Sequence, residues 1–184
     1  MANASRKLSE AEVSRFLSKV LRHTPDEIGI KLDRNGWTDV AILLSKAKRA
    51  GVTFDQAMLE STVHNNDKAR FTFSPDGRKI RAAQGHSLDV DLGLLPQVPP
   101  DVLFHGTASQ NLHLIFAEGL KAGRRQQVHL SADEQTAMRV GQRHGSAVIL
   151  YVDAAQMQAD GYEFFCADNG VWLTDFVEPK YLRL

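Results

Sequence analysis

A proline-rich segment near the middle of the 184-residue chain constrains its fold more than any other feature. The run Pro-Gln-Val-Pro-Pro at 96–100 lacks several backbone N–H groups and has fixed φ angles, so neither a helix nor a central strand can continue through it. The residue patterns on its two sides also differ. The sequence therefore predicts two lobes, at 1–95 and 101–184, joined by a short linker.

The N-terminal half has the order of elements that is typical of a winged helix. Ser9 and Glu12 match a helix-capping box, and the apolar repeat that follows predicts an amphipathic helix ending near Arg22 and His23. A short strand is expected at 28–32, then two helices, and then a hairpin whose turn contains Asp-Gly. A winged helix normally binds nucleic acid, so we expect a nucleic-acid-binding lobe here.

The C-terminal half alternates between strand-like and helix-like segments. Residues 102–107 predict a strand that runs into a loop, residues 132–143 predict a helix, and residues 147–154 have the strongest strand pattern in the chain. Three further strand-prone segments follow. The sequence therefore predicts an α+β protein whose C-terminal lobe has a mostly β core.

Composition and charge narrow the functional class. The formal net charge is zero, but Lys and Arg exceed Asp and Glu in the N-terminal half and the reverse holds in the C-terminal half, which favours a polyanion partner for the first lobe. The single cysteine, Cys166, excludes an internal disulfide and a cysteine-based zinc cluster. No apolar run reaches the roughly 20 residues of a membrane helix, and no signal region is evident. We expect a cytoplasmic protein without membrane association.

Two short polar runs are the strongest candidates for chemistry. They are KIRAAQGHS at 79–87 and LFHGT at 103–107, and neither reads as core. Two basic groups lie elsewhere in the sequence: Arg22 with His23, and Arg139 and Arg143 with His144. Arg supplies a fixed charge, His a titratable ring, and Gly a backbone that a ligand can approach closely. If the fold brings these segments together, they could bind several phosphate groups at once.

Several of these residues also have an ordinary structural explanation. Arg22 and His23 could simply complement the negative end of a helix dipole. His105 could be a capped residue at the end of a strand. Arg124 and Arg125 could be solvated charges in a loop. Sequence spacing alone leaves both explanations open.

Two pairs of residues are predicted to share a face of their element. His129 alternates with apolar neighbours in VHLS, so it should lie on the same strand face as Ser131. Arg139 and Arg143 are four residues apart in the predicted helix, so they should share a helix face. Each pair would present its polar groups in one direction.

Other chemistries are excluded by missing motifs. The chain contains neither a GxxxxGK(S/T) phosphate loop nor a GxGxxG fingerprint. It has no HExxH and no cluster of paired carboxylates, so no metal is expected. Cys166 lies in an aromatic strand without a neighbouring base, which argues against a thiol nucleophile.

Seven segments, read in order, closely resemble the RNA 2′-phosphotransferase family, which acts on spliced tRNA in eukaryotes and has bacterial members. They are LSKVLRHTP, GWTDVAILL, KIRAAQGHS, LFHGT, VHLS, VGQRHG and GVWLT. The resemblance covers nearly the whole chain. It implies an N-terminal winged-helix lobe that binds RNA and a C-terminal lobe of the ADP-ribosyltransferase type that binds NAD. The implied reaction passes an internal RNA 2′-phosphate to NAD through an ADP-ribosylated RNA phosphate, and gives 2′-OH RNA, nicotinamide and ADP-ribose 1″,2″-cyclic phosphate.

The resemblance also implies roles for individual residues. The catalytic set would be Arg22, His23, Arg81 and Arg143. The NAD-contacting residues would be His105, Gly106, Thr107, His129 and Ser131, with Gly85, His86 and Ser87 lining the cleft between the lobes. The strand GVWLT lacks the glutamate that many ADP-ribosyltransferases keep there, as suits a phosphate acceptor. The expected partners are NAD and RNA bearing an internal 2′-phosphate, and the protein is expected to be a monomer.

Two alternatives stay open at this stage. The first is an ADP-ribosyltransferase that caps terminal phosphates of RNA or DNA, because the same pocket would serve its first step. The second is a non-catalytic winged-helix protein whose C-terminal half senses a nucleotide. The second alternative leaves the polar run KIRAAQGHS without an explanation.

Overall fold

The computed structural model describes residues 8–66, 68–143 and 145–184, and the chain divides into two compact units between Gly93 and Leu94. His144, which the sequence places in a basic group, lies outside the described residues. Six helices and small antiparallel sheets are present in the described part. The prediction of a mixed helix and strand protein is confirmed at this level.

The N-terminal unit contains three helices and a three-stranded sheet. In chain order its elements are α1 Glu10–Arg22, β1 Thr38–Asp39, α2 Val40–Arg49, α3 Gln56–His64, β2 Phe71–Phe73 and β3 Lys79–Ala82. The sheet is antiparallel with β3 in the centre. The apolar face of α1 is buried in the core of this unit, where Leu17 and Leu21 pack with Leu43 and Ile80.

The start of α1 follows from its sequence. The Ser9 side chain accepts a hydrogen bond from the Glu12 backbone N–H, and the Glu12 carboxylate accepts one from Ser9 N–H. This capping box satisfies backbone donors that the first turn leaves without helical partners. The predicted capping box is confirmed.

The strand predicted at 28–32 is wrong. Pro25–Glu27 form a short 3-10 helix, and the Gly29 and Ile30 backbone N–H groups bond back to the carbonyls of Asp26 and Pro25. Those donors are therefore used within the turn and cannot join a strand ladder. The first strand of this unit lies instead at Thr38–Asp39.

The C-terminal unit has a mostly β core. In chain order its elements are β4 Val102–Ala108, α4 Leu112–Glu118, β5 Leu120–Lys121, β6 Val128–Leu130, α5 Glu134–Gly141, β7 Ala147–Asp153, α6 Ala154–Ala159, β8 Phe165–Cys166, β9 Trp172–Thr174, β10 Phe176–Val177 and β11 Leu182–Arg183. One sheet has the order β11-β7-β4, a second β6-β9-β8, and a third pairs β10 with β5. Phe104 of β4 and Ser131 exchange backbone hydrogen bonds of 2.9 and 2.8 Å, which brings β4 alongside β6.

Helix α5 packs closely onto β4 at two glycines. A Cβ atom on Gly106 would lie 1.7 Å from the Ala137 carbonyl oxygen, and one on Gly141 would lie 3.0 Å from the Thr107 carbonyl oxygen. At Gly106 only a residue without a side chain permits this approach, whereas at Gly141 an added Cβ would make a tight contact. In the described ranges, no helix combines the length and apolar character that crossing a bilayer requires.

Candidate functional site

Arg22 is the last residue of α1, and its side chain lies against the hairpin. Its guanidinium donates to the Arg70 carbonyl at 3.4 Å and lies 5.9 Å from the centroid of the Phe71 ring. Its backbone carbonyl accepts a 3.0 Å hydrogen bond from Ser87 N–H. The helix end and the 84–87 bend are therefore joined through one residue.

His23 and Ser87 extend this junction. His23 Nδ1 lies 2.9 Å from Ser87 Oγ, which orients the imidazole ring. The bend that presents Ser87 depends on Gly85, whose φ of +87° is in the left-handed region that favours glycine. The sequence run Gly85, His86 and Ser87 is thus a turn that reaches back to the C-terminus of α1.

Arg81 is fixed on β3 by two contacts. Its Cζ atom lies 4.6 Å from the centroid of the Trp37 ring, within the range of a cation–π contact. Its guanidinium also donates to the Leu92 carbonyl at 3.1 Å. Trp37 is half-buried and supports this arginine.

His86 lies inside the N-terminal unit among these cations. Its side chain is only 2% exposed, and its Nε2 has no hydrogen-bond partner. Burial, and after it the charges of Arg22, His23 and Arg81, lower the pKa of His86 from its ordinary 6.5 to about 4. The imidazole is therefore neutral at pH 7. The structure brings Arg22, His23 and Arg81 together around it.

In the C-terminal unit, His105 and His129 are linked. His105 Nδ1 lies 3.1 Å from the His129 backbone oxygen. A carbonyl can only accept, so Nδ1 of His105 carries the proton. His129 and Ser131 are half-buried while Val128 and Leu130 are buried, as the predicted alternation requires.

Arg125 donates to Nδ1 of His129. A guanidinium can only donate, so this nitrogen of His129 accepts and the ring proton of the neutral side chain is on Nε2. The pKa of Arg125 is lowered, first by burial and then by the charge of Arg143. Sequence reasoning missed Arg125. The one feature that could have indicated its contact with His129 is their separation of four residues, across a loop and the start of β6.

Gly106 and Thr107 are buried in the C-terminal unit. Gly106 lies under α5, as described above, and the Thr107 hydroxyl accepts a 3.1 Å hydrogen bond from the Asn111 side chain. Thr107 is 6% exposed. In this unit, the two residues position α5 and the turn after β4.

The structure places Arg143 beyond the helix that was predicted to carry it. Helix α5 ends at Gly141, and the Arg143 backbone N–H bonds to the Val140 carbonyl in the following turn at 3.2 Å. Arg139 is on α5, where its guanidinium donates to Thr136 Oγ1. The predicted common helix face of Arg139 and Arg143 is wrong, because Gly141 lies at the close contact with β4 where the helix ends.

Taken separately, each unit gathers cationic and imidazole groups suited to phosphate. Guanidinium groups bind phosphate oxygens through paired N–H donors. Among the described residues, no three or more His, Cys, Asp or Glu side chains are grouped so that they could hold a metal ion. The chemistry that these groups can perform is therefore that of arginine and histidine.

Comparison with known proteins gives a consistent result. A family model described as "RNA 2′-phosphotransferase, Tpt1 / KptA family" matches residues 8–176. A "Probable RNA 2′-phosphotransferase" of Agrobacterium fabrum is 61% identical over 171 residues, which cover 93% of this chain and 92% of that protein. Proteins of the same name from Herpetosiphon aurantiacus and Escherichia coli are each 51% identical, and each alignment covers 94% or more of that protein and 94% of this chain. With a family match over most of its length, this chain belongs to the RNA 2′-phosphotransferase, Tpt1 / KptA family.

Proposed function

We propose that this protein transfers an internal 2′-phosphate from RNA to NAD, giving 2′-OH RNA, nicotinamide and ADP-ribose 1″,2″-cyclic phosphate. Membership of the family supports the phosphotransferase activity. The observation that carries the proposal is the grouping of Arg22, His23 and Arg81 around the neutral His86. Guanidinium groups grouped in this way can bind the oxygens of one phosphate together.

The proposal assigns a role to each unit. The order of helix, strand, two helices and hairpin, with β3 between β1 and β2, supports a winged-helix lobe that binds RNA. The linked residues His105 and His129 support an ADP-ribosyltransferase-like lobe that binds NAD. The enzyme would be a cytoplasmic monomer that works without a metal.

The first step requires positioning more than proton transfer. A phosphate monoester has a second pKa of about 6, so it is largely dianionic at neutral pH and needs no general base. Arg22 and Arg81 would bind its oxygens and offset the repulsion from the incoming dinucleotide. A phosphate oxygen then bonds to the ribose carbon that carries nicotinamide, and the carbon–nitrogen bond breaks with its electrons leaving on nicotinamide.

The second step frees the RNA. The ribose 2″-hydroxyl attacks the same phosphorus, and the RNA 2′-oxygen leaves and takes up a proton. Arginines aimed at the phosphoryl oxygens stabilise the charge that develops there, and losing one such donor typically costs about 10²–10³ in rate. His23 would carry the proton, since Ser87 Oγ already orients its ring and histidine is the side chain most often used for proton transfer.

The ring nitrogens of the C-terminal unit suit a nucleotide. Because the ring proton of His105 is on Nδ1, its Nε2 is a hydrogen-bond acceptor. The ring proton of neutral His129 is on Nε2, so that nitrogen is a hydrogen-bond donor. Such a pair can meet the hydroxyl and amide groups of NAD, which both donate and accept. Ser131 lies on the same strand face as His129 and would add a hydroxyl.

The proposal is tested with an oligonucleotide that carries one internal 2′-phosphate, incubated with and without NAD. Mass analysis should show 2′-OH RNA and ADP-ribose cyclic phosphate only when NAD is present. Binding without turnover would support a nucleotide sensor and overturn the proposal. A 5′-phosphorylated strand that gains ADP-ribose, with the 2′-phosphate left intact, would indicate a capping enzyme instead.

Variants connect the activity to the cluster. Arg22→Ala should lower the single-turnover rate by about 10²-fold or more, because a charge-stabilising donor is lost. Arg15→Ala is the matched control, since Arg15 is exposed on the same helix and should leave the rate unchanged. Equal rates for the two variants would remove Arg22 from the mechanism.

A further inference from the structure

We propose that Arg125 is a phosphate-binding residue that acts together with Arg143 in the C-terminal unit. Sequence reasoning and the family resemblance gave Arg125 no role. The identity of the phosphate rests on the proposed function: it is either the diphosphate of NAD or the 2′-phosphate of the RNA. Both offer the same chemistry, a phosphate oxygen anion, and the experiments below separate them.

Arg125 is held in a fixed orientation. Its residue surface is exposed, yet one guanidinium nitrogen donates to His129 Nδ1. A solvated arginine on a loop would keep its rotamer freedom, which costs up to about 2 kcal/mol to lose on ordering. The bond to His129 has already oriented the planar group, and a guanidinium has five N–H donors. The other N–H groups of Arg125 therefore point in defined directions, in which they can donate to a ligand.

The surroundings of Arg125 include the charge of a second arginine. Arg143 is near enough for its charge to lower the pKa of Arg125. Within 8–66, 68–143 and 145–184, neither guanidinium forms an ion pair with a carboxylate. Two like charges held close without an acidic neighbour repel each other. An anion between them would reverse the sign of that interaction.

Arg125 also lies beside the histidines of the C-terminal unit. Arg125 bonds to His129, and the backbone of His129 accepts from His105. These three residues form a continuous hydrogen-bonded chain across β4 and β6. Arg125 therefore contacts His129 directly and is linked through it to His105, and both histidines are proposed to contact NAD. An anion held there would be part of a substrate.

The test compares Arg125→Gln with Arg124→Gln. Both changes remove one exposed loop charge, but Arg124 makes no bond to His129. Calorimetric titration with ADP-ribose reports binding without turnover, and separate titrations of NAD and RNA give a KM for each substrate. Arg125→Gln should weaken ADP-ribose binding or raise the KM for RNA by about 10- to 100-fold, the range for hydrogen bonds to charged groups.

The affected substrate identifies the phosphate. Weaker ADP-ribose binding with an unchanged KM for RNA assigns Arg125 to the dinucleotide, and the reverse assigns it to the RNA. Arg125→Lys keeps the charge without the planar fork and should restore only part of the loss. Equal constants for Arg125→Gln and Arg124→Gln would overturn the proposal.

One further titration separates this inference from the proposed function. Inorganic pyrophosphate needs no reaction, so its binding reports the anion site even if 2′-phosphorylated RNA is not a substrate. Weaker pyrophosphate binding by Arg125→Gln, but not by Arg124→Gln, would support the site when turnover fails. Unchanged pyrophosphate, ADP-ribose and RNA constants would refute the Arg125 site while leaving the activity intact.

Discussion

At the scale of single residues, His86 changes how the Gln84–Ser87 bend is understood. Sequence reasoning placed His86 among residues that line a cleft, yet its ring is buried inside the N-terminal unit. The reason is that Gly85 breaks the strand alternation, so the pattern no longer indicates which face a side chain takes. As a neutral ring, His86 lies among Arg22, His23 and Arg81 without adding a charge of its own.

Stability should depend on pH through His86. Its folded pKa of about 4 lies below the ordinary value of 6.5, so the unfolded chain takes up the proton first as pH falls. The contribution of His86 to the free energy of unfolding is complete above about pH 6.5 and is lost toward pH 4. The loss between pH 7 and pH 5 is roughly 2 kcal/mol. Urea unfolding at the two pH values measures this loss.

His86→Phe should remove that part of the pH dependence. Phenylalanine keeps an apolar ring of similar size but cannot take up a proton. His64→Phe is the control, because His64 is exposed at the end of α3. An unchanged slope of unfolding free energy against pH in His86→Phe would contradict the assignment.

At the scale of elements, sequence patterns predicted what local rules determine. The capping box located α1, the Asp-Gly turn located the hairpin, and apolar runs located β4 and β7. Tertiary contacts were beyond those rules. The end of α5 before Arg143 accompanies its approach to Gly106, which precedes Ala137 by 31 residues and Gly141 by 35 residues in sequence.

Gly106→Ala should destabilise the protein more than Gly141→Ala. The new methyl at 106 would overlap the Ala137 carbonyl, whose backbone cannot move without shifting α5. Overpacking of this kind costs roughly 3 kcal/mol. At 141 the contact is looser, and alanine regains about 1 kcal/mol of helix propensity.

Urea unfolding of both variants at neutral pH measures the difference. The two glycines are a matched pair, since neither has a positive φ and they lie on opposite sides of one interface. A Gly106→Ala loss as small as that of Gly141→Ala would mean that helix and strand can separate easily. The close contact would then not determine the position of α5.

At the scale of the whole molecule, the resemblance assigned roles to Arg22, His23 and Arg81, and only the fold showed that all three lie near His86. These residues come from a helix end and a strand separated by more than fifty positions in sequence. Arg125 was not identified from the sequence, because an arginine in a loop belongs to no periodic pattern that would indicate its partner. Contacts between distant segments are determined by packing, which local spacing does not encode.

Turnover should survive an excess of EDTA. The groups assembled in each unit are arginines and histidines, and fixed cations repel a divalent metal. The rate of 2′-phosphate removal with NAD, measured with and without EDTA, should therefore be the same. Activity that is lost with EDTA and restored by added Mg²⁺ would contradict a mechanism based on guanidinium groups.

The partner of His105 is a main-chain oxygen of His129. Any amino acid at position 129 supplies that oxygen, so the protonation form of His105 survives replacement of the neighbouring imidazole. A double-substitution experiment can therefore attribute an effect to each ring in turn.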